Sequence, residues 1–300
     1  MQSLLDPITL SRIKDLPLVA KTLAHGFLHG LHASQQRGTG VEFNQYRSYE
    51  PGDPLAQIDW KLFARSDKYF VSEAQRESDI RVWLILDASA SMLQISQKTK
   101  QQGGWNKLQY AKSLLATIAY LAQHQGDAVG LLSASSQAVS YLPANTGQRH
   151  WRRLLVNLHN ISSGGQFPDI ESLRAHIASV RSQGLVIVAS DFYQHNQELV
   201  SFISGLSNRK TDVIAVQLEC DDEIDFPYKG QIRFEDLESQ KQTLLWAQHA
   251  KKDYLSARDS FNLELENTLT ASHIQLLRAN IDRPMDSTLL DFLRARQKLA

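Results

Sequence analysis

Four short and almost wholly apolar runs, Val82 to Leu86, Val129 to Leu132, Leu185 to Ala189 and Val213 to Val216, constrain this chain more than any other feature. A strand with one wet face would alternate apolar and polar residues. Unbroken apolarity over four or five residues instead predicts strands covered on both faces, as in a parallel sheet. Between the first two runs, Leu108, Ala111, Leu115, Ile118 and Ala122 recur at the three-and-four spacing of an amphipathic helix, and Trp151 to Leu158 and Ile170 to Val180 behave likewise. Strand and helix patterns in alternation predict an α/β fold, a mostly parallel sheet with helices on both faces.

Past Phe226 the pattern changes. Ile232 to Phe234 and Thr243 to Trp246 read as a hairpin, an insertion around 228–248, followed by a long helix ending near Leu269. A short strand at Ile274 to Leu277 and a last helix, capped by Asp286 or Ser287, are expected to close the same sheet. Ahead of the α/β pattern, Leu16 to Ala33 has helical spacing. Val41 to Ala74 is dense in aromatics and charges, with a turn at Pro51-Gly52-Asp53-Pro54, and predicts a compact group of short strands. The expected organisation is therefore an N-terminal helix and β-rich region over 1–78, then an α/β domain over 79–300.

Charge and composition exclude several classes. Lys plus Arg and Asp plus Glu both number 32, so no net field gathers a polyanion, and nucleic acid is not expected as a partner. The longest unbroken apolar runs among the predicted strands, Val82 to Leu86 and Leu185 to Ala189, are five residues each, against the roughly 20 residues a membrane helix needs. No direct membrane insertion is expected. Residues 1–15 lack the apolar core and cleavage site of a signal peptide, which predicts a cytoplasmic location. The single cysteine, Cys220, rules out an intramolecular disulfide and is expected to be a buried thiol. Neither a phosphate-binding Gly-x-x-x-x-Gly-Lys-Ser/Thr loop nor a dinucleotide fingerprint follows any strand.

The chemistry-bearing residues cluster at strand ends. The first strand runs straight into Asp87-Ala88-Ser89-Ala90-Ser91, and the third into Ser190-Asp191. Ligands of open α/β sheets bind outside the carboxyl ends of the strands. Asp87, Ser89, Ser91 and Asp191 together offer hard oxygen atoms, which favour Mg²⁺, Mn²⁺ or Ca²⁺ over zinc. An acid after one strand also suits a helix cap; two strands delivering acids to one rim favours the cation. His25, His29 and His32 share a helical face but lack the Glu of a His-Glu-x-x-His site, and are read as structural. Arg152-Arg153 and Lys251-Lys252 are read as solvated helix faces.

The spacing Asp87-x-Ser89-x-Ser91 after an apolar strand resembles the metal-ion-dependent adhesion site of von Willebrand factor A domains. Upstream, Gly38-Thr-Gly40-Val-Glu42-Phe43, Arg47-x-Tyr49-x-Pro51-Gly52-Asp53, Ile58-Asp59-Trp60 and Ala64-Arg65 resemble in order the signature of the domain-of-unknown-function 58 family. That resemblance implies a von Willebrand A-like core and a MoxR-type AAA+ ATPase as partner in a chaperone-like assembly. It also implies that Ser89 and Ser91 bind the ion directly, with Asp87 and Asp191 acting directly or through water, and that one position stays open for a partner's carboxylate. Glu42, Arg47, Tyr49, Asp53, Asp59, Trp60 and Arg65 would then be either a docking surface or internal pairs holding the β-rich region.

Two departures stand out. Pro54 and Ala56 replace an Asp and an Arg usual in relatives, and Gly164-Gly165-Gln166-Phe167-Pro168-Asp169 lacks the threonine of the adhesion site, which predicts that metal affinity is reduced or lost. The expected function is a non-enzymatic, divalent-metal-dependent protein interaction module. One alternative is a metal-dependent phosphohydrolase with Asp87 as nucleophile, although Ser89 stands where its general acid would be. The other is a metal-free structural scaffold.

Overall fold

The computed structural model describes residues 16–21, 23–24, 46–48, 70–72, 80–180, 184–194, 197–207 and 211–299. Its contacts divide the chain into two compact units, Leu28–Ser78 and Met1–Phe27 with Asp79–Ala300. In the smaller unit the described residues are two short strands, β1 (Tyr46–Ser48) and β2 (Phe70–Ser72), paired antiparallel with Arg47 opposite Val71.

The larger unit is built on a six-stranded sheet. Its strands are β3 (Arg81–Asp87), β4 (Ala128–Ala134), β5 (Val139–Asn145), β6 (Gly184–Ser190), β7 (Thr211–Glu219) and β10 (Ile274–Asn280), in the order β10-β7-β6-β3-β4-β5. All neighbours are parallel except β4 and β5, which are antiparallel. The α/β architecture expected from the four apolar runs is the one observed. Residues 82–87 of β3 are buried on both faces, as are 185–190 of β6, which explains their unbroken apolarity.

Helices α1 (Gln97–Gln101), α2 (Lys107–His124), α3 (Gln148–Asn160), α4 (Ile170–Val180), α5 (Glu198–Leu206), α6 (Asp221–Asp225), α7 (Ala247–Ala271) and α8 (Met285–Leu299) join these strands. One core gathers Trp83 and Ile85 of β3 with Val186 and Val188 of β6 under Phe202 and Leu206 of α5 and Leu265 and Leu269 of α7. Helix α2 packs along β3 and β4. Its start is fixed by a reciprocal cap: Gln109 N–H donates to Asn106 Oδ1 (2.8 Å) and Asn106 N–H to Gln109 Oε1 (3.1 Å).

The sequence reading does not foresee β5. Its residues, Val-Ser-Tyr-Leu-Pro-Ala-Asn, carry a proline and mixed polarity because it is the half-exposed edge of the sheet, where Pro143 interrupts no inner ladder. The cap of α8 also differs. The helix begins at Met285, so Asp286 and Ser287 lie within its first turn, with Ser287 Oγ donating to the Pro284 carbonyl (2.9 Å). The hairpin is present as β8 (Gln231–Glu235) and β9 (Gln242–Trp246), paired antiparallel. Cys220 is buried.

Packing against β4 is tight at one point. A Cβ on Gly130 would stand 2.5 Å from the ring of Trp83, which itself stacks on Tyr141 with centroids 5.6 Å apart. Gly130→Val is expected to destabilise the fold by about 1–3 kcal/mol through overpacking. Urea denaturation checks this, and an unchanged midpoint would contradict the close approach.

Candidate functional site

Strand order explains why two distant acids meet. From β3 the chain moves outward to β4 and β5 on one side, then crosses to β6 and continues outward on the other. The connections leaving the carboxyl ends of β3 and β6 therefore part in opposite directions, and the crevice between them is the usual ligand position of a doubly wound sheet. Leu86 pairs with Ala189, so Asp87 and Ser190 end adjacent strands side by side.

Around this crevice the predicted residues form one hydrogen-bonded chain. Asp87 Oδ1 accepts from Ser89 N–H at 2.8 Å, the Ser89 and Ser91 hydroxyls are 3.0 Å apart, and Ser91 Oγ donates to Asp191 Oδ1 at 3.2 Å. The second oxygen of Asp87 accepts from Ser190 Oγ (2.5 Å) and Gln194 Nε2 (2.9 Å). Asp87, Ser89 and Asp191 are all buried. Burial first, and then the charge of Asp191, push the Asp87 carboxyl up to about 6, with hydrogen bonds from Ser190 and Ser89 working against the rise.

The loop that lacks a threonine is docked on this chain. Gly164 N–H donates to the Ala88 carbonyl (2.9 Å) and Ala90 N–H to the Gly165 carbonyl (2.8 Å). Gly165 has φ +65° and a Cβ there would run into Ser136 Oγ, so the approach depends on glycine. The residue before this pair, Ser163, has a buried Oγ with no hydrogen-bond partner. Asp169 is turned away and accepts instead from Ser172 at the start of α4.

Several site residues escaped the sequence reading. Lys107, fully buried at the first position of α2, donates to Asp191 Oδ2 at 3.1 Å and to Glu223 Oε1 at 2.7 Å, and stands 5.3 Å from the centre of the Tyr193 ring. Burial opposes its charge, but Asp191 and Glu223 outweigh burial and raise its pKa, so the ammonium stays protonated. The available signal was its position: residue 107 lies on the same face as Ala111 and Leu114. Glu223 is placed by α6, where its other oxygen accepts from Cys220 N–H at 2.8 Å. Glu238, on the turn between β8 and β9, is pushed up to about 7 by burial and then by the charges of Asp191, Asp87 and Asp236. Gln194 and Glu238 carry no sequence signal, since each reaches the crevice from a loop.

Of the N-terminal signature residues, Arg47 lies in β1; Glu42, Tyr49, Asp53, Asp59, Trp60 and Arg65 lie outside the described residues, as do His25, His29 and His32. Among the described residues no group of three or more His, Cys, Asp or Glu is arranged to hold an ion, so a cation in the crevice would depend on the serine hydroxyls. No described helix is long and apolar enough to cross a membrane.

One curated relative matches nearly the whole chain and another a little over half of it. The uncharacterized protein Rv1480 of Mycobacterium tuberculosis is 24% identical over 302 residues, covering 98% of this chain and 91% of the relative. YeaD of Bacillus subtilis is 22% identical over 177 residues, covering 58% of this chain and 40% of that protein. Among solved structures, BatB from Bacteroides thetaiotaomicron is 15% identical with a TM-score of 0.47, covering 73% of this chain and 99% of that one. The VWA domain of SpRpn10 is 10% identical with a TM-score of 0.38, covering 70% and 93%. The family model described as "Protein of unknown function DUF58" matches residues 45–262, and the chain belongs to that family.

Proposed function

We propose that this protein is a non-enzymatic interaction module whose crevice at Asp87, Ser89, Ser91 and Asp191 holds a divalent cation and presents it to an acidic group of a protein partner. The observation that carries this reading is the convergence of two buried aspartates and two serine hydroxyls, from the ends of adjacent strands, at the switch point of the sheet. The donor set is oxygen alone and suits Mg²⁺, Mn²⁺ or Ca²⁺. Burial first, and then the charge of Asp191, raise the Asp87 pKa, so the ionised pair is disfavoured while no cation is present. A bound cation would supply the missing positive charge and an electrophilic position toward an incoming carboxylate. Ser89 and Ser91 would hold it, Asp87 and Asp191 would orient them, and Lys107 would limit the net charge so that the ion remains attractive to an acid.

The family resemblance suggests a MoxR-type AAA+ ATPase as partner. Capture from the native host with tagged protein in Mg²⁺ is expected to recover an AAA+ ATPase, and to lose it in chelator or with Asp87→Ala. Recovery unaffected by both treatments would favour the metal-free scaffold. Ser163 supports the reading from another side, because its unpartnered hydroxyl sits beside the glycine pair docked on the metal loop, where it would stand in for the missing threonine. Ser163→Ala is expected to weaken Mn²⁺ binding by ~10-fold, a typical loss for one supporting group. Its metal-free stability should not fall, since the hydroxyl bonds to nothing there. Calorimetric titration and thermal melting in chelator measure the two effects; a variant that melts earlier yet binds Mn²⁺ as before would assign Ser163 to packing.

A further inference from the structure

The β8–β9 hairpin has an outward face that the crevice does not use. Its register places Gln231, Arg233 and Glu235 of β8 opposite Trp246, Leu244 and Gln242 of β9, and all six are exposed. The other face is anchored by Phe234, stacked on Phe226 at 5.7 Å and edge-on to Tyr228 at 5.1 Å. With the hairpin held that way, Leu244 (59% exposed) and Trp246 (54%) stand in water on the same side of one strand. Arg233, directly opposite Leu244, forms no ion pair among the described residues. Tryptophan and arginine are the residue types that most often carry the energy of a protein interface.

A complementary patch lies on α7. Leu263 is 62% exposed, and Asp259 and Glu266, about one turn before and after it, are exposed on the same side of the helix. Glu266 is shared with Arg278 (2.8 Å), whereas Asp259 has only a 3.8 Å approach from Arg258, itself committed to Glu219. The helix therefore offers an apolar side chain beside a weakly paired acid, and the hairpin offers apolar side chains beside an unpaired cation. These two patches cannot meet within one copy. Helix α7 starts directly after Trp246, so Leu263 lies about 25 Å further along it at roughly 1.5 Å per residue.

We propose that the outer face of the hairpin docks on a second copy of this chain, with Leu244 and Trp246 of one copy packed on Leu263 of the next and Arg233 paired with Asp259. Two different surfaces meet, so the contact is heterologous and copies join head to tail. It lies outside the crevice and needs no cation. A patch of this size gives weak association, which rises with concentration and falls with salt.

Analytical sedimentation of the full chain at low salt tests this with two variants, Trp246→Ser and Leu263→Ser. Both positions are exposed, and serine suits position 246 as the N-cap of α7, so both variants should fold. Wild type is expected to associate as its concentration rises, in chelator as in Mg²⁺. Each variant alone should associate ~30-fold more weakly, the loss that marks a central anchor. Mixed in equal amounts, the two should form a one-to-one dimer that grows no further, because each supplies the surface the other lacks. Arg233→Glu and Asp259→Arg should each weaken association by ~10-fold, and both in one chain should restore it. Wild type that stays monomeric up to ~1 mM overturns the proposal, as does association that survives both serine variants or disappears in chelator. Variants that fail alone and also fail when mixed would overturn it as well, since a head-to-tail contact must complement. Absence of rescue in the charge-swapped chain would remove the pairing of Arg233 with Asp259, and with it the choice of α7 as the docking surface.

Discussion

Lys107→Ala is expected to destabilise the protein by about 3–5 kcal/mol, the usual cost of removing one member of a buried ion group. The lysine is fully buried and bridges Asp191 and Glu223, one from the end of β6 and the other from α6. Without it, the buried Asp191 and the part-buried Glu223 lose their shared counter-charge. Lys107→Met separates charge from volume, since methionine fills much of the same space. It should lose nearly as much stability as alanine. Adding Glu223→Gln to Lys107→Met should restore part of the loss, because one of the stranded charges is removed. Urea denaturation of the four proteins reads these differences directly. A loss below about 1 kcal/mol for Lys107→Met would mean that the pair is hydrated and behaves like a surface bridge.

The second large effect is on cation binding. Asp87→Ala is expected to lower Mg²⁺ or Mn²⁺ affinity by ~100-fold or more, since removing a supporting contact of a metal ligand alone costs ~10–100-fold. Asp87 is also the group that orients Ser89 through its backbone N–H and holds Ser190 and Gln194 in place. The same substitution strands those donors, so circular dichroism and melting must accompany the titration. Asp87→Asn keeps the shape while removing the charge, and it should bind cation as poorly as alanine while melting closer to wild type. Calorimetry showing wild-type affinity in Asp87→Asn would contradict a charge-dependent site. The phosphohydrolase alternative is separated by the same variant: Mg²⁺-dependent turnover of a phosphate ester that vanishes in Asp87→Asn would make Asp87 a nucleophile instead.

Much of this protein was legible in its sequence because the signals are local. Buried parallel strands need continuous apolar runs, so β3, β4, β6 and β7 announce themselves, and the hairpin and the spacing of α2 follow from period alone. Asp87, Ser89 and Ser91 stand out because they follow a strand within five residues. Edge strand β5 does not, since a half-exposed edge imposes no strict pattern on Val139 to Asn145.

What the sequence by itself determined, then, is the alternation of strand and helix and the oxygen-rich ends of two strands. Only the tertiary structure decided that those ends are neighbours, because strand order is set by how crossovers pack and not by the residues of any one strand. It also decided the charge balance of the crevice. Lys107, Glu223 and Glu238 come from three separate elements, and a lysine on a helix or a glutamate on a turn ordinarily faces water. Their meeting with Asp87 and Asp191 is a consequence of long-range packing, and electrostatic energy in a buried site depends on those distances and on how far packing excludes water.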